Sequence, residues 1–288
     1  MGSHAVHTNH PATSPNSISA DEVELELLLE GIFRFYGYDF RQYARSTVRR
    51  RLTEIMGREG LDNLSMLQGE ILRKPELLDK VVSSLSIQVS SLFRDPRFYL
   101  AFRQRAVPLL RTYPSIRIWH AGCATGEEVY SMAILLTEED LFNKCRIYGT
   151  DLNPDALATA SRGAYSAPHV ARSERDYKEA GGARSWSDYF QISGKEAKIL
   201  PSLQRRVTFF QHNLATDASF NDFHVIFCRN VLIYFSKPLQ DRVHELLYQS
   251  FVRFGILGLG ANETLHVTPK EKHYKALDET ARLYRRTD

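Results

Sequence analysis

The chain has 288 residues, of which 43% are apolar and 25% are charged, and its formal net charge is +3. This length and apolar content are enough for one large domain or two modest ones, each with its own core. No apolar run reaches the ~18–20 residues that a membrane-spanning helix needs, so membrane insertion is not expected. The net charge is too small to imply a nucleic-acid partner.

The three cysteines, Cys123, Cys145 and Cys228, are few and irregularly spaced. They form neither the spacing of a zinc site nor a disulfide framework. A reducing cytoplasm is therefore the expected location.

The first 85 residues predict a disordered tail followed by a helical domain. Residues 1–19 are rich in His, Ser, Asn and Pro and are expected to be disordered. Residues 20–85 carry apolar side chains at helical spacing, which predicts an all-helical domain. Its four helices are expected over Asp21–Tyr36, Tyr43–Arg58, Leu64–Leu72 and Glu76–Leu85. Residues 86–115 are interpreted as a linker and a further helix.

The second predicted helix is rich in arginine, with six arginines against the single acid Glu54 over residues 41–58. Arg41, Arg45 and Arg49 follow one another at intervals of four, which places them on one stripe of the helix. Such a face attracts an acidic partner. Nucleic acid remains an alternative to an acidic helix, although no base-reading module accompanies the arginines.

From residue 116 onward, strand-like and helical patterns alternate, which predicts an α/β domain with a mostly parallel sheet over residues 116–288. The predicted strands are Ile116–Trp119, Arg146–Thr150, Val207–Gln211, His224–Cys228 and Gly255–Gly260. The predicted helices are Glu128–Leu136, Pro154–Arg162 and Pro238–Phe251. Short β-like pieces around Ser193-Gly194 interrupt this alternation and predict a small antiparallel insertion at about 181–206. A long irregular loop is the alternative there.

A glycine-containing turn joins the first predicted strand to the next helix. Gly122 and Gly126 allow the backbone to approach a ligand closely, and a strand, turn and helix in this order form the ligand-binding corner of an open sheet. The dinucleotide pattern G-x-G-x-x-G is absent, and Glu127 and Glu128 would repel a pyrophosphate. They suit a ligand with an ammonium and a sulfonium group, which points to S-adenosylmethionine (SAM).

Polar residues follow the other predicted strands. Asp151 is placed to accept hydrogen bonds from ribose hydroxyls, although it could instead cap the next helix. Asn213 can contact an adenine edge, with a simple turn role as the alternative. Arg229 and Asn230 lie in a ligand-facing loop, and Tyr234 can present a hydroxyl near a reacting centre or pack in the core.

A polar cluster precedes the α/β domain. Ser90 and Ser91 are followed by Arg94, whose planar guanidinium could bind the carboxylate of the SAM methionine moiety. An ion pair with Asp95 or a surface position is the alternative.

Three motifs are jointly specific, and on them the chain resembles the chemotaxis receptor methyltransferases, CheR, from about Val23 to near the C-terminus. The motifs are AGCATGEEVYSMAI, GTDLNPDALATA and IFCRNVLIYF. The resemblance implies a helical N-terminal domain, a linker and a SAM-binding Rossmann-like domain with an inserted antiparallel β-subdomain. It also implies methyl transfer from SAM to glutamate side chains of chemoreceptors, with S-adenosylhomocysteine as the product.

The resemblance also assigns roles to particular residues. Arg94 and Tyr234 are expected at the reacting centre. The cofactor-binding residues are expected to be Gln88, Ser90, Arg94, Gly122, Glu128, Asp151, Asn213, Leu214, Arg229 and Asn230. The arginine helix resembles the receptor-docking helix of the family, with Arg45, Arg49, Arg50 and Arg51 as docking residues. In some members the β-subdomain binds a peptide at the receptor's C-terminus.

Two segments depart from the family pattern. The usual N-x-T-x-F-F-R is replaced by Gln88-Val89-Ser90-Ser91-Leu92-Phe93-Arg94, and the usual G-H-S-E is replaced by Gly260-Ala261-Asn262-Glu263.

Two functional hypotheses compete with receptor methylation. One is a SAM enzyme that acts on another protein, a small molecule or RNA, and the other is a non-catalytic SAM-sensing module. A glutamate carboxylate with an ordinary pKa of ~4.3 is already ionised at neutral pH, so the predicted reaction needs no general base.

Overall fold

A computed structural model describes residues 18–85, 90–266 and 268–288 of the chain. Most of the predicted tail, as well as Gln88, lies outside the described residues. The helical domain consists of α1 (Ala20–Tyr36), α2 (Arg45–Glu59), α3 (Leu64–Ile71) and α4 (Pro75–Leu85). Its core forms because each helix turns an apolar stripe inward, including Leu28 of α1 and Val48 and Leu52 of α2, all with no exposed surface.

A second helical segment leads into the α/β domain. It comprises α5 (Pro96–Ala101), a π-helical turn (Phe102–Ala106) and α6 (Val107–Leu110). The remaining helices are α7 (Glu127–Glu138), α8 (Pro154–Arg162), α9 (Ala167–Arg172), α10 (Glu174–Glu179), α11 (Pro201–Gln204) and α12 (Lys237–Gln249). No helix among the described residues combines the length and apolar character needed to span a bilayer.

The main sheet has seven strands in the order β6-β2-β1-β7-β8-β10-β9. These strands are β1 (Ile116–Ala121), β2 (Cys145–Asp151), β6 (Val207–Gln211), β7 (Phe223–Cys228), β8 (Phe251–Leu259), β9 (Tyr274–Asp278) and β10 (Leu283–Arg286). The first five in the sheet order are parallel, whereas β10 runs antiparallel to both of its neighbours. Separate apolar clusters cover the two faces, as expected for a sheet with helices on both sides.

A three-stranded antiparallel sheet is inserted between α8 and β6. It consists of β3 (Ala164–Ser166), β4 (Phe190–Ser193) and β5 (Glu196–Ile199), in the order β3-β5-β4. The segment is therefore not an irregular loop, and its first strand precedes the expected range of 181–206. The predicted fold class, an all-α domain followed by an α/β domain with a small β insertion, is confirmed.

The two domains are joined by backbone pairing next to the sheet. The N–H of Ala44 donates to the carbonyl of Tyr234, and the N–H of Ser236 donates to the carbonyl of Gln42, both at 2.8 Å. Tyr43 and Phe235 form an isolated antiparallel bridge, and their rings lie 4.9 Å apart. The start of α2 is thereby fixed against the segment that contains Tyr234.

Candidate active site

A cavity lies at the carboxyl ends of β1, β2 and β7. From β1 the chain proceeds to β2 and β6 on one side, whereas β7 and β8 lie on the other. Such a switch point leaves a crevice in which open α/β sheets bind ligands. The cavity has two lobes that share Gly122, Asn230 and Tyr234.

The two lobes differ in chemistry. The apolar lobe is lined by Tyr43, Leu85, Leu152, Leu214, Val231 and Phe235, with Asp151 and Asn213 at its edge. The polar lobe is lined by Ser90, Ser91, Arg94, Glu128 and Arg229. The cavity therefore offers an apolar surface at one end and charged groups at the other.

The turn after β1 holds two glycines in the left-handed backbone region. Gly122 has φ +77, and a Cβ there would lie 2.5 Å from Cγ2 of Val231. Gly126 has φ +89, and a Cβ there would lie 2.8 Å from Cβ of Ala160 in α8. Both positions therefore need glycine for conformation and for space.

Asp151 ends β2 and faces the turn. Its Oδ2 accepts the N–H of Ala124 at 2.8 Å, and its Oδ1 accepts the N–H of Asn153 at 3.0 Å. Asn153, and not Asp151, caps α8 through the N–H groups of Asp155 and Ala156. Burial raises the pKa of Asp151, although the backbone donors oppose this effect. Each oxygen keeps a further lone pair for a ligand hydroxyl.

Glu128 lies in the first turn of α7, where a carboxylate is stabilised by the helix dipole. Its Oε1 is 2.9 Å from Nδ1 of His120, and its Oε2 accepts a hydrogen bond from Nη1 of Arg229 at 2.8 Å. Burial would raise the pKa of Glu128, but the Arg229 charge and the His120 contact outweigh it and lower the pKa. Glu128 is therefore a partly buried, stably ionised carboxylate at the polar lobe, with 19% of its side chain exposed.

Arg229 connects three chain segments. Its side chain is 2% exposed, and its second terminal nitrogen, Nη2, donates to Oδ2 of Asp95 at 2.8 Å. The guanidinium also lies 4.0 Å from the ring centre of Phe98. Asp95 therefore pairs with Arg229, which disfavours the alternative that it pairs with Arg94. The guanidinium is committed to two carboxylates, which suits a positioning role.

Arg94 lies between two residues with unusual backbone conformation. Phe93 has φ 56 and Asp95 has φ 60, a region that costs free energy for residues other than glycine. Phe93 is fully buried, and its N–H donates to Oγ of Ser131 at 2.8 Å, which anchors the turn. The turn places Arg94 at the wall of the polar lobe together with Ser90.

The loop after β7 is held by a carboxylate that sequence reasoning did not assign. The side chain of Glu263 accepts the N–H groups of Asn230, Val231, Leu232 and Gly260 at 2.7–2.9 Å. Asn230 has φ 60, so the loop turns sharply before Tyr234. Burial raises the pKa of Glu263, and the four donors oppose this rise. Glu263 thus fixes the backbone that leads to Tyr234.

Asn213 has the turn role that the sequence left open, and it also borders the cavity. Its Oδ1 accepts the N–H of Ala215 at 2.9 Å, while its own N–H donates to Asp217. The side-chain amide nitrogen is then the group that can meet a ligand. Leu214 is buried in the wall beside it.

The arginines of α2 pair with a larger number of acids than the sequence of α2 alone provides. Arg49 pairs with Glu22 at 2.6 Å, and Arg45 lies 3.6 Å from Glu26, both acids being on α1. Arg50 and Arg51 both pair with Glu54 of α2. The expectation of a face with almost one sign of charge is therefore wrong, because α1 supplies the missing acids.

Comparison with known proteins identifies the class. The family model described as "CheR methyltransferase, SAM binding domain" matches residues 88–281, and the model described as "CheR methyltransferase, all-alpha domain" matches residues 23–86. The chain therefore belongs to the CheR methyltransferase family, and it is a SAM-dependent methyltransferase.

Relatives match over most of their length. Cher3 of Pseudomonas putida is 41% identical over 266 residues, which cover 92% of this chain and 97% of that protein. The chemotaxis protein methyltransferase of Listeria monocytogenes is 28% identical over 235 residues, covering 81% and 86% of the two chains. Chemotaxis protein methyltransferase 1 of Pseudomonas aeruginosa is 28% identical over 274 residues, covering 90% and 95%.

Proposed function

We propose that this chain transfers the methyl group of SAM to glutamate side-chain carboxylates of chemoreceptors and so forms the methyl esters of sensory adaptation. The observation that carries the proposal is the two-lobed cavity, whose apolar and charged ends meet at Tyr234. Membership of the CheR family and similarity to chemotaxis methyltransferases support the choice of substrate.

The donor groups of the cavity support one order for the parts of SAM along it. Leu214 and Tyr43 would enclose the adenine ring in the apolar lobe, where Asn213 offers an amide to its edge. Asp151 would accept the ribose hydroxyls, and Glu128 would accept the ammonium group. Ser90 and Arg94 would bind the carboxylate, and Gln88 is included in this set on its sequence position alone. The sulfonium would then lie near the shared residues Gly122, Asn230 and Tyr234.

The reaction needs alignment more than acid–base chemistry. When bound, SAM supplies an electrophilic methyl carbon, whose bond to the positively charged sulfur breaks as a carboxylate oxygen attacks it. The substrate carboxylate is ionised at neutral pH, so the protein's task is to orient it and to exclude water. Tyr234 and Arg94 are the residues proposed to orient it. Glu128 and Asp151 hold the donor, while Arg229 and Glu263 hold the loops in place.

Receptor binding is proposed to involve α2. Arg50 is the most accessible of the four docking candidates, with 57% of its side chain exposed. Three other candidates are less exposed and form ion pairs with acids of the same domain, namely Arg45, Arg49 and Arg51. An acidic methylation helix of the receptor would compete for these cations. A receptor C-terminal peptide at the β3-β5-β4 sheet is the second contact proposed.

The test is methyl transfer from labelled SAM to receptor-containing membranes. A glutamate methyl ester releases volatile methanol in mild base, whereas an N-methyl product does not. We expect label in the receptor band that is lost with base, and loss of transfer in Tyr234→Phe with SAM affinity retained. Base-stable label would indicate a different substrate class, and SAM binding without transfer would indicate a sensing module.

A further inference from the structure

A second cavity lies at the opposite end of the sheet, where β2 and β6 begin. It is lined by Arg146, Arg205, Arg206, Tyr148 and Thr208, and we name it the arginine pocket. Arg146 precedes Asp151 by five strand residues, a separation of about 17 Å at ~3.3 Å per residue. The arginine pocket is therefore separate from the cavity at the carboxyl ends of the strands.

Two of the arginines are cross-strand neighbours. The strands pair as Ile147 with Val207 and Tyr148 with Thr208, and the N–H of Ile147 donates to the carbonyl of Arg206. One residue earlier, Arg146 and Arg206 lie beside each other. Alternate residues of a strand face the same side, so both guanidinium groups share the face of Tyr148 and Thr208. Like charges placed side by side on neighbouring strands repel each other.

No ion pair with a carboxylate of the described residues relieves this repulsion. Other arginines of the chain, such as Arg103 and Arg229, have close acidic partners. Arg205 donates instead to neutral oxygens of Asn143 and Ser202. The Nε of Arg206 is buried and has no hydrogen-bond partner within the part of the chain that the structure describes. A buried donor without a partner destabilises the folded state, and a hydrogen bond to a bound anion would remove this penalty.

We infer that the arginine pocket binds the phosphate group of a small anion, either inorganic phosphate or a nucleotide. Guanidinium groups donate in a planar fork that matches phosphate oxygens, and three of them border one concave site. The hydroxyl of Thr208 adds a neutral donor on the same face. A simpler role for these charges would be to keep the edge strand β6 from pairing with other chains, and that role requires no ligand.

Isothermal titration of the full chain with inorganic phosphate at low salt tests the proposal. The double variant Arg146→Gln/Arg206→Gln should weaken binding at least about tenfold, because it removes charge-assisted hydrogen bonds. The control Arg175→Gln, an exposed arginine on α10, should bind as the unmodified chain does. A parallel titration uses uridine monophosphate, with uridine as its blank. Tighter binding of uridine monophosphate than of inorganic phosphate would indicate a nucleotide ligand, and the reverse would indicate free phosphate.

Thermal unfolding distinguishes a loss of phosphate binding in the variant from a loss of its folded structure. Without phosphate, the double variant should melt no lower than the unmodified chain, because the repulsion between like charges is removed. Phosphate should raise the melting temperature of the unmodified chain only. If the double variant is poorly folded, Arg206→Lys serves instead, since it keeps the charge and loses the fork. Equal phosphate binding by variant and unmodified chain, or none by the latter at millimolar concentration, would overturn the inference.

Discussion

The backbone N–H of Ala44, at the start of α2, donates a 2.8 Å hydrogen bond to the carbonyl oxygen of Tyr234. This bond joins the helix proposed to dock the receptor to the loop proposed to orient its carboxylate. The reciprocal bond from Ser236 to Gln42 makes the contact a short antiparallel bridge. The position of Tyr234 therefore depends on the helical domain as well as on the sheet.

Replacing Ala44 by proline should separate this bond from side-chain effects. Ala44 has φ −58, which proline adopts without strain, but proline has no N–H to donate. We expect a stability loss of about 1 kcal/mol and a several-fold lower rate of methyl transfer. Ala44→Ser is the matched control because it keeps the N–H and adds a helix-capping hydroxyl. Equal rates for the two variants would show that the bridge does not position Tyr234.

The affinity for S-adenosylhomocysteine should fall in acid, and Asp151 should control the fall. Burial raises the pKa of Asp151, so on acidification it takes up a proton at a higher pH than an ordinary aspartate. The pKa of Glu128 is lowered, so this carboxylate keeps its charge at a pH where an ordinary glutamate loses it. A protonated Asp151 can accept fewer hydrogen bonds from ribose hydroxyls.

Titration calorimetry from neutral pH to about pH 4 checks this expectation, with circular dichroism to confirm that the chain stays folded. Asp151→Asn should bind weakly at neutral pH and show no further loss in acid. Glu128→Gln should also bind weakly but should keep the acid-dependent loss. An unchanged pH profile in Asp151→Asn would contradict the assignment of Asp151 to the ribose.

The sheet and its ligand-binding edge could be predicted because their signals are local. The strand, glycine turn and helix around Gly122 are contiguous in sequence. Asp151 directly follows a strand-like run, and Tyr234 lies in the loop that follows another. The sequence does not predict the strands β3, β9 and β10. Strands β3 and β10 have only three and four residues and show no clear alternation, and Tyr274–Asp278 is only partly buried.

The supporting residues of the site could not be predicted, because their partners are distant in sequence. Arg229 and Asp95 are 134 positions apart, and Glu263 binds backbone N–H groups that have no sequence signature. His120 and Glu128 are close in sequence, but they belong to different elements, and only the turn between β1 and α7 brings them together. The acids that pair with the α2 arginines lie on another helix, so the composition of α2 alone was misleading.

Arg229 should matter more for stability than Asp95. Removal of the guanidinium in Arg229→Met leaves the partly buried carboxylate of Glu128 without its main charged partner, which should cost about 2 kcal/mol or more. Asp95→Asn keeps the Glu128 pair, and the Asp95 side chain is 41% exposed, so its loss should be clearly smaller. Urea denaturation of both variants measures the difference. Similar losses would mean that Glu128 is not the principal partner.

Charge reversal at Arg50 should weaken receptor binding without harm to the fold. Among the residues that the structure describes, Arg50 pairs only with Glu54 of α2, whereas Arg49 also holds α1 through Glu22. Arg50→Glu should therefore raise the KM for the receptor several-fold and leave kcat and SAM affinity near their original values. The control Arg175→Glu alters an exposed charge on α10. A KM unaffected by Arg50→Glu would argue against docking through this face.

A crystal structure with bound S-adenosylhomocysteine tests most directly whether the two-lobed cavity is the active site. The adenine should lie between Tyr43 and Leu214, the ribose hydroxyls should contact Asp151, and the ammonium group should contact Glu128, with the sulfur nearest Tyr234. Binding outside this cavity, or with the two ends of the ligand exchanged between the lobes, would contradict the account.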